Sequence, residues 1–117
     1  MSRENTSEYT QVALAFTRAL ASRYYPAAYA MTSKQYRQDT SLEAMASAFE
    51  AIVPTDWGTA DPIDVGLTME DWPGKLAPDV GWVYVGIGGD VYSEAVTVVI
   101  TLEDEELRVR TVEFGRP

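Results

Sequence analysis

The sequence contains neither cysteine nor histidine. Without cysteine the chain has no disulfide, no thiolate nucleophile and none of the commonest structural zinc sites. Without histidine it also lacks the usual general base and the commonest transition-metal ligand. Any catalysis would therefore depend on carboxylates, tyrosines and lysines, and we predict neither a metal site nor a bound cofactor.

Basic residues are scarce, because 9 Lys and Arg stand against 18 Asp and Glu, a net charge of −9. An acidic surface repels nucleic acid and anionic membranes, so we predict neither as a partner. The imbalance lies in residues 61–117, which carry 4 basic and 12 acidic residues and so a net charge of −8. We therefore expect a basic protein partner to meet this second half of the chain.

Long apolar runs are absent as well. The opening residues, MSRENTSEYT, lack the apolar segment of a signal peptide. No run of about 18 apolar residues follows, so we expect a cytoplasmic protein that does not enter a membrane. At 117 residues and 46% hydrophobic content, the chain is typical of a single globular domain over residues 1–117.

Helical periodicity begins near the start of the chain. A stripe of apolar residues predicts a first helix over about residues 6–23: Tyr9, Val12, Ala13, Phe16 and Leu20. Asn5 is the expected N-cap, with Glu8 as its reciprocal capping acid. Pro26 suits the first turn of a second, short helix that ends near residues 31–33.

A third helix is predicted after the pair Thr40 and Glu43, which match a capping box. Its apolar face is expected to hold Leu42, Met45, Phe49 and Ile52. Pro54 ends it. The turn-rich stretch PTDWGTADP then separates helical from strand periodicity.

Strands are predicted over residues 63–72, 81–87, 91–102 and 107–114. The first strand is expected to place Ile63, Val65, Leu67 and Met69 on one face. Turn residues between the strands favour an antiparallel meander. Because the helices come first and the strands afterwards, the pattern indicates an α+β domain, with three N-terminal helices packed on the concave face of a curved four-stranded antiparallel sheet.

Both faces of this sheet carry large apolar residues. Trp82 and Tyr84 alternate with Val83, Val85 and Ile87 on the second strand, and the third strand is apolar on both sides. The helices can cover only one face. We therefore predict that a second copy of the chain covers the other, giving a homodimer held sheet to sheet.

The order of elements resembles the nuclear transport factor 2-like, or cystatin-like, superfamily. The residues that carry the resemblance are ALAFTRALASRYYPAAYAMTSKQYRQDTSLEAMASAFEAI, GWVYVGIGG and SEAVTVVITL. The resemblance implies a cone with an apolar pocket and dimerisation through the sheet. The superfamily includes isomerases, dehydratases, cyclases, transport factors and small bacterial proteins, some of which look like immunity proteins that neutralise a toxin, so the fold leaves the function open.

Aromatic side chains are the candidates for lining such a pocket: Phe16, Tyr25, Tyr29, Tyr36, Phe49, Trp57, Trp82 and Tyr84. The first interpretation is a non-enzymatic protein that binds a small apolar ligand in the cone or a basic protein on its surface, with an immunity-type protein as one form of the latter. The alternative is a histidine-free isomerase or lyase for a small apolar carbonyl compound, with a carboxylate base and a tyrosine donor, and with Asp39 or Asp64 as the acid. A third possibility is a fold that serves only to dimerise.

Overall fold

The computed structural model describes residues 7–55, 63–88 and 93–115. Helices come first: α1 (Glu8–Ala21), α2 (Tyr25–Ala30), α3 (Lys34–Asp39) and α4 (Leu42–Ile52). Strands follow: β1 (Ile63–Met69), β2 (Asp79–Gly88), β3 (Ser93–Glu103) and β4 (Glu106–Phe114). The α+β class and the helix-then-strand order are confirmed.

The caps of the two longer helices differ from the prediction. The N-cap of α1 is Ser7, whose hydroxyl accepts from the amide of Thr10, whereas Asn5 lies outside the described residues. The N-cap of α4 is Ser41, whose hydroxyl accepts from the amide of Ala44, so the pair Thr40 and Glu43 was wrong by one residue. Adjacent Ser and Thr residues offer equivalent capping oxygens, and local sequence does not choose between them.

The short helix α3 was not predicted, so the described helices number four rather than three. Its six residues, KQYRQD, include one apolar side chain and therefore show no periodicity. Ser33 caps the helix through the amide of Tyr36, 3.2 Å away. At its other end the hydroxyl of Tyr29 donates to the carbonyls of Arg37 (3.1 Å) and Thr40 (2.8 Å). Tertiary contacts thus stabilise a helix that the apolar periodicity of its own sequence does not predict.

The sheet is an antiparallel meander in the order β1-β2-β3-β4. A bulge at Gly66 interrupts β1, since Val65 pairs with Val85 and Leu67 pairs with Tyr84. The extra residue reverses the alternation of side chains beyond it. The prediction of one apolar face along β1 is therefore wrong: Leu67 shares a face with Tyr84, opposite the face of Val65.

The core lies between the helices and one face of the sheet, here called the inner face. Phe16 of α1 and Phe49 of α4 are both 0% exposed. They belong to one cluster with the alternate valines and isoleucines of the central strands: Val83, Val85, Ile87, Val96, Val98 and Ile100. The ring of Phe49 also meets that of Phe114 on β4 edge to face, with centroids 6.5 Å apart. Large side chains therefore fill the space between helices and sheet.

The opposite, outer face of the sheet holds small residues at its centre. Thr97, Val99 and Thr101 of β3 are buried there even in the single chain. At one end of this face, Arg110 donates to both carboxylate oxygens of Asp79, at 2.7 and 2.6 Å. Asp79 is buried and also accepts from the amide of Leu76, 2.9 Å away. The ion pair ties β2 to β4 across β3.

The two edges of the sheet differ. Residues 31–33 lie along β4, where Thr32 forms a parallel bridge with Val109. The amide of Ser33 donates to the carbonyl of Val109 (2.8 Å), and the amide of Val109 donates to the carbonyl of Met31 (2.9 Å). Among residues 7–55, 63–88 and 93–115, no strand pairs with the outward edge of β1. One edge is thus partly covered and the other is open.

Candidate functional site

The aromatic residues predicted to line a pocket do not come together around one open space. Phe16 and Phe49 are packed in the core. Trp82 and Tyr84 alternate with the core valines of β2, so they lie on the outer face, away from the helices. Trp57 lies outside the described residues.

The three tyrosines of the helical half that were predicted to line a pocket, Tyr25, Tyr29 and Tyr36, are half-buried. Tyr25 donates to Glu50 Oε2 at 2.6 Å, and burial, assisted by Glu50, raises its pKa. Tyr29 donates to backbone carbonyls of α3 and its C-cap. Burial, with a smaller contribution from Tyr29, raises the pKa of Tyr36 to about 12. The hydroxyls of Tyr25 and Tyr29 thus bind groups on neighbouring segments, Glu50 of α4 and the backbone at the end of α3.

A groove lies instead between α1 and the open edge strand β1, with a volume of about 480 Å³. A cavity of this size is in the range of ligand sites. We call it the α1–β1 groove and define it by the residues that line it: Ser7, Tyr9, Thr10, Leu14, Arg18, Ile63, Asp64, Val65, Thr68 and Glu70. Its lining mixes apolar and charged side chains, as binding surfaces do.

Local packing sets the shape of the groove. A Cβ atom added to Gly81 would lie 2.0 Å from Cδ1 of Tyr9, so the tyrosine ring lies directly on the glycine backbone. This contact places the start of α1 beside the end of β1, since Trp82 pairs with Met69. Arg18 lies about 14 Å further along the helix, toward the start of β1. The groove therefore runs along the strand, with Glu70 at one end and Arg18 toward the other.

The charged side chains of the groove are available to a ligand. Within the described part of the chain, the guanidinium of Arg18 and the carboxylates of Asp64 and Glu70 form no hydrogen bond or ion pair. All three side chains belong to exposed residues. Hydrated, unpaired charges at the wall of a groove can exchange water for a charged ligand group without first breaking an internal pair.

Glu70 also belongs to an acidic rim at the end of the sheet. Because the strands are antiparallel, the ends of β1 and β3 and the start of β4 lie together. We define the rim by its carboxylates: Glu70, Asp71, Glu103, Asp104, Glu105 and Glu106. Lys34 pairs with Asp104 at 3.0 Å and Arg108 with Glu106 at 2.8 Å, which leaves the rim negative overall. The groove thus opens onto an acidic surface.

Sequence reasoning missed most of the groove. It considered Asp64 only as the acid of the isomerase alternative, and it assigned Tyr9 to the buried stripe of α1. One signal was present: Thr10, Leu14 and Arg18 recur every four residues, the spacing of a second stripe beside the buried one. What that stripe faces depends on where β1 lies, which the sequence pattern does not specify.

A second cavity, of about 410 Å³, lies between α3 and β4. Tyr36, Asp39 and Arg110 are among its lining residues. The guanidinium of Arg110 is already engaged by Asp79, so this cavity offers fewer free charges than the groove.

Asp79 is the buried carboxylate of the described ranges, and its electrostatics are those of a structural ion pair. Burial alone would raise its pKa, but hydrogen bonds from Arg110, the amide of Leu76 and Thr101 outweigh burial, so the pKa lies below its usual value. The two carboxylates named for the isomerase alternative, Asp39 and Asp64, are exposed. In these ranges no group of three or more acidic side chains is placed to hold a metal ion.

Comparisons with known proteins add no relative: no protein-family model, curated protein or solved structure matches the chain. No helix in the described part of the chain combines the length and apolar character needed to cross a membrane. The site must therefore be interpreted from its own geometry.

Proposed function

We propose that this chain is a non-catalytic binding protein that recognises a basic protein partner along the α1–β1 groove and the acidic rim. The observation that carries the proposal is the groove, a cavity of about 480 Å³ lined by charged side chains and continuous with the rim at Glu70. The net charge of −9 supports the choice of a basic partner. Complementary charge speeds encounter and fixes the orientation of the complex.

We further propose that the domain is a member of the nuclear transport factor 2-like superfamily. The order of helices followed by an antiparallel meander supports this assignment. Within that superfamily, an immunity-type protein that neutralises a basic toxin is the version that agrees best with an acidic groove. Such proteins act by occupying a partner's surface and need no catalytic group.

Binding of a small apolar ligand inside the domain receives less support. The interior space is occupied by Phe16, Phe49 and their neighbours. An isomerase of this kind needs an interior carboxylate with a raised pKa, whereas the buried carboxylate Asp79 lies on the outer face and its pKa is lowered. No observation therefore favours the isomerase over a protein-binding role.

Self-association through the outer face of the sheet is also proposed. Leu67 is 53% exposed on this face and lies beside Tyr84, its partner across the strands. Met69 and Trp82 form the adjacent cross-strand pair on the same face and are half-buried. A second copy placed on this strip would cover these side chains and leave the α1–β1 groove open.

The test is a titration of the purified chain with basic proteins encoded by neighbouring genes, in low and high salt. We expect at least one to bind, with affinity falling by about tenfold or more between low and high salt. Glu70→Lys should weaken binding at low salt, whereas Glu113→Lys, the same charge reversal on β4, should not. Absent binding, or binding that ignores salt, would contradict the proposal.

A further inference from the structure

The open edge of β1 is a backbone surface that no described element uses. In an antiparallel sheet, the amides and carbonyls of alternate residues of an edge strand point away from the sheet. At β4 these groups are partly covered by residues 31–33. Along β1 no strand of the described ranges pairs with them, and Asp64, Leu67 and Thr68 are exposed.

The α1–β1 groove lies beneath this edge. From Ile63 to Met69 the strand extends about 20 Å, the length of an extended segment of about seven residues. A segment paired with β1 would direct every second side chain toward the helices, and those side chains would enter the groove. There they would meet Leu14 and Val65 in the apolar part and Glu70 at the end.

We propose that an extended segment of the basic partner adds to β1 as a fifth strand and places its alternate side chains in the α1–β1 groove. This inference rests on the proposed function and specifies how the partner binds. The segment is expected to carry apolar residues at alternate positions and a Lys or Arg opposite Glu70. Backbone hydrogen bonds then supply affinity, and the groove supplies selectivity, as in other cases of strand addition.

Charge favours a basic partner over a second copy of this chain as the added strand. Each copy has a net charge of −9. Pairing β1 with β1 would gather Asp64 and Glu70 from both copies at one seam, against a single Arg18 from each.

The probe is a random octapeptide library displayed on phage, selected on the full chain and counter-selected on Thr68→Trp. Thr68 is exposed and lines the groove, so the larger side chain fills the groove without entering the core. Thr55→Trp is the matched control, since Thr55 is exposed and does not line the groove. Thermal unfolding of both variants checks that they fold.

We expect enriched peptides with alternate apolar residues and a basic residue. They should bind the wild type and Thr55→Trp alike and bind Thr68→Trp at least tenfold more weakly. In ¹⁵N spectra they should protect amides of residues 63–69 from exchange. Methylation of alternate peptide nitrogens should weaken binding by about tenfold, because it removes edge hydrogen bonds. Glu70→Lys should remove the preference for a basic residue and Glu113→Lys should not.

The inference would be overturned by no enrichment, by a footprint outside β1 and α1, or by equal binding to Thr68→Trp. Protection of β1 amides that depends on protein concentration without peptide would also overturn it, in favour of self-pairing. The proposed function and the strand-addition mode can be tested separately. If a basic protein binds in a salt-dependent way and Thr68→Trp weakens that binding, but the amides of residues 63–69 gain no protection, the function stands and the strand-addition mode is wrong.

Discussion

Individual residues decide whether the groove exists, and Gly81 is the clearest case. Its position admits no side chain because the ring of Tyr9 occupies the space where a Cβ would lie. Gly86, on the same strand, differs: a Cβ there would meet its nearest neighbour, the carbonyl oxygen of Asp64, at an ordinary 3.6 Å. The two glycines therefore form a matched pair.

Gly81→Ala is expected to lower the free energy of unfolding by roughly 1–3 kcal/mol, since Tyr9 must move. Gly86→Ala should change it by less than about 1 kcal/mol. Urea denaturation measures both. In Tyr9→Ala the cost of Gly81→Ala should largely disappear, because the clashing ring is gone. Equal costs in both backgrounds would show that the ring contact is not the cause.

Asp79 links stability to pH. Its pKa is lowered in the folded state, so the contribution of its ion pair is fully present above the unfolded value of about 3.9 and is lost as the pH falls through the folded value. We expect the wild type to lose more stability than Asp79→Asn when the pH drops from about 5 to below 3. Urea unfolding at a series of pH values measures this. Parallel acid dependence of the two proteins would contradict the assignment.

At the scale of elements, the sequence predicted the order and type of seven of the eight: α1, α2, α4 and the four strands. Their apolar periodicity reports local structure directly. The omission was α3, whose stability comes from Tyr29 and from residues 31–33 on β4 rather than from its own pattern. The bulge at Gly66 was missed for a similar reason. A Cβ added at Gly66 would lie 3.0 Å from the ring of Tyr84, and this ring belongs to the neighbouring strand β2, whose position the local sequence does not specify. The groove depends on that same strand placement.

Tyr29→Phe tests how α3 is held. Loss of the hydroxyl removes hydrogen bonds to the carbonyls of Arg37 and Thr40, which we expect to cost about 1–2 kcal/mol. Amide exchange should quicken in α3 more than in α1. Tyr24→Phe is the control, since Tyr24 is exposed. Uniformly faster exchange across the chain would mean that the loss is global and not confined to α3.

At the scale of the whole molecule, the outer face of the sheet predicts self-association. Leu67→Lys should shift the sedimentation equilibrium toward the monomer, since it places a charge in the proposed contact strip. Leu102→Lys is the control, because Leu102 has a similar exposure, 48%, near the end of β3 and away from the proposed contact strip. A wild type that stays monomeric at all concentrations would remove the dimer proposal and leave the groove proposal unaffected.

The bridge between Thr32 and Val109 has a consequence for how the protein is made. The segment that leads into α3 finds its docking site only on the last strand of the sheet. During synthesis the N-terminal helices emerge first, yet neither the inner face of the sheet nor this docking site exists until the C-terminal strands have left the ribosome. Folding of the domain therefore waits for β4, and its rate is expected to be limited by contacts between residues distant in sequence.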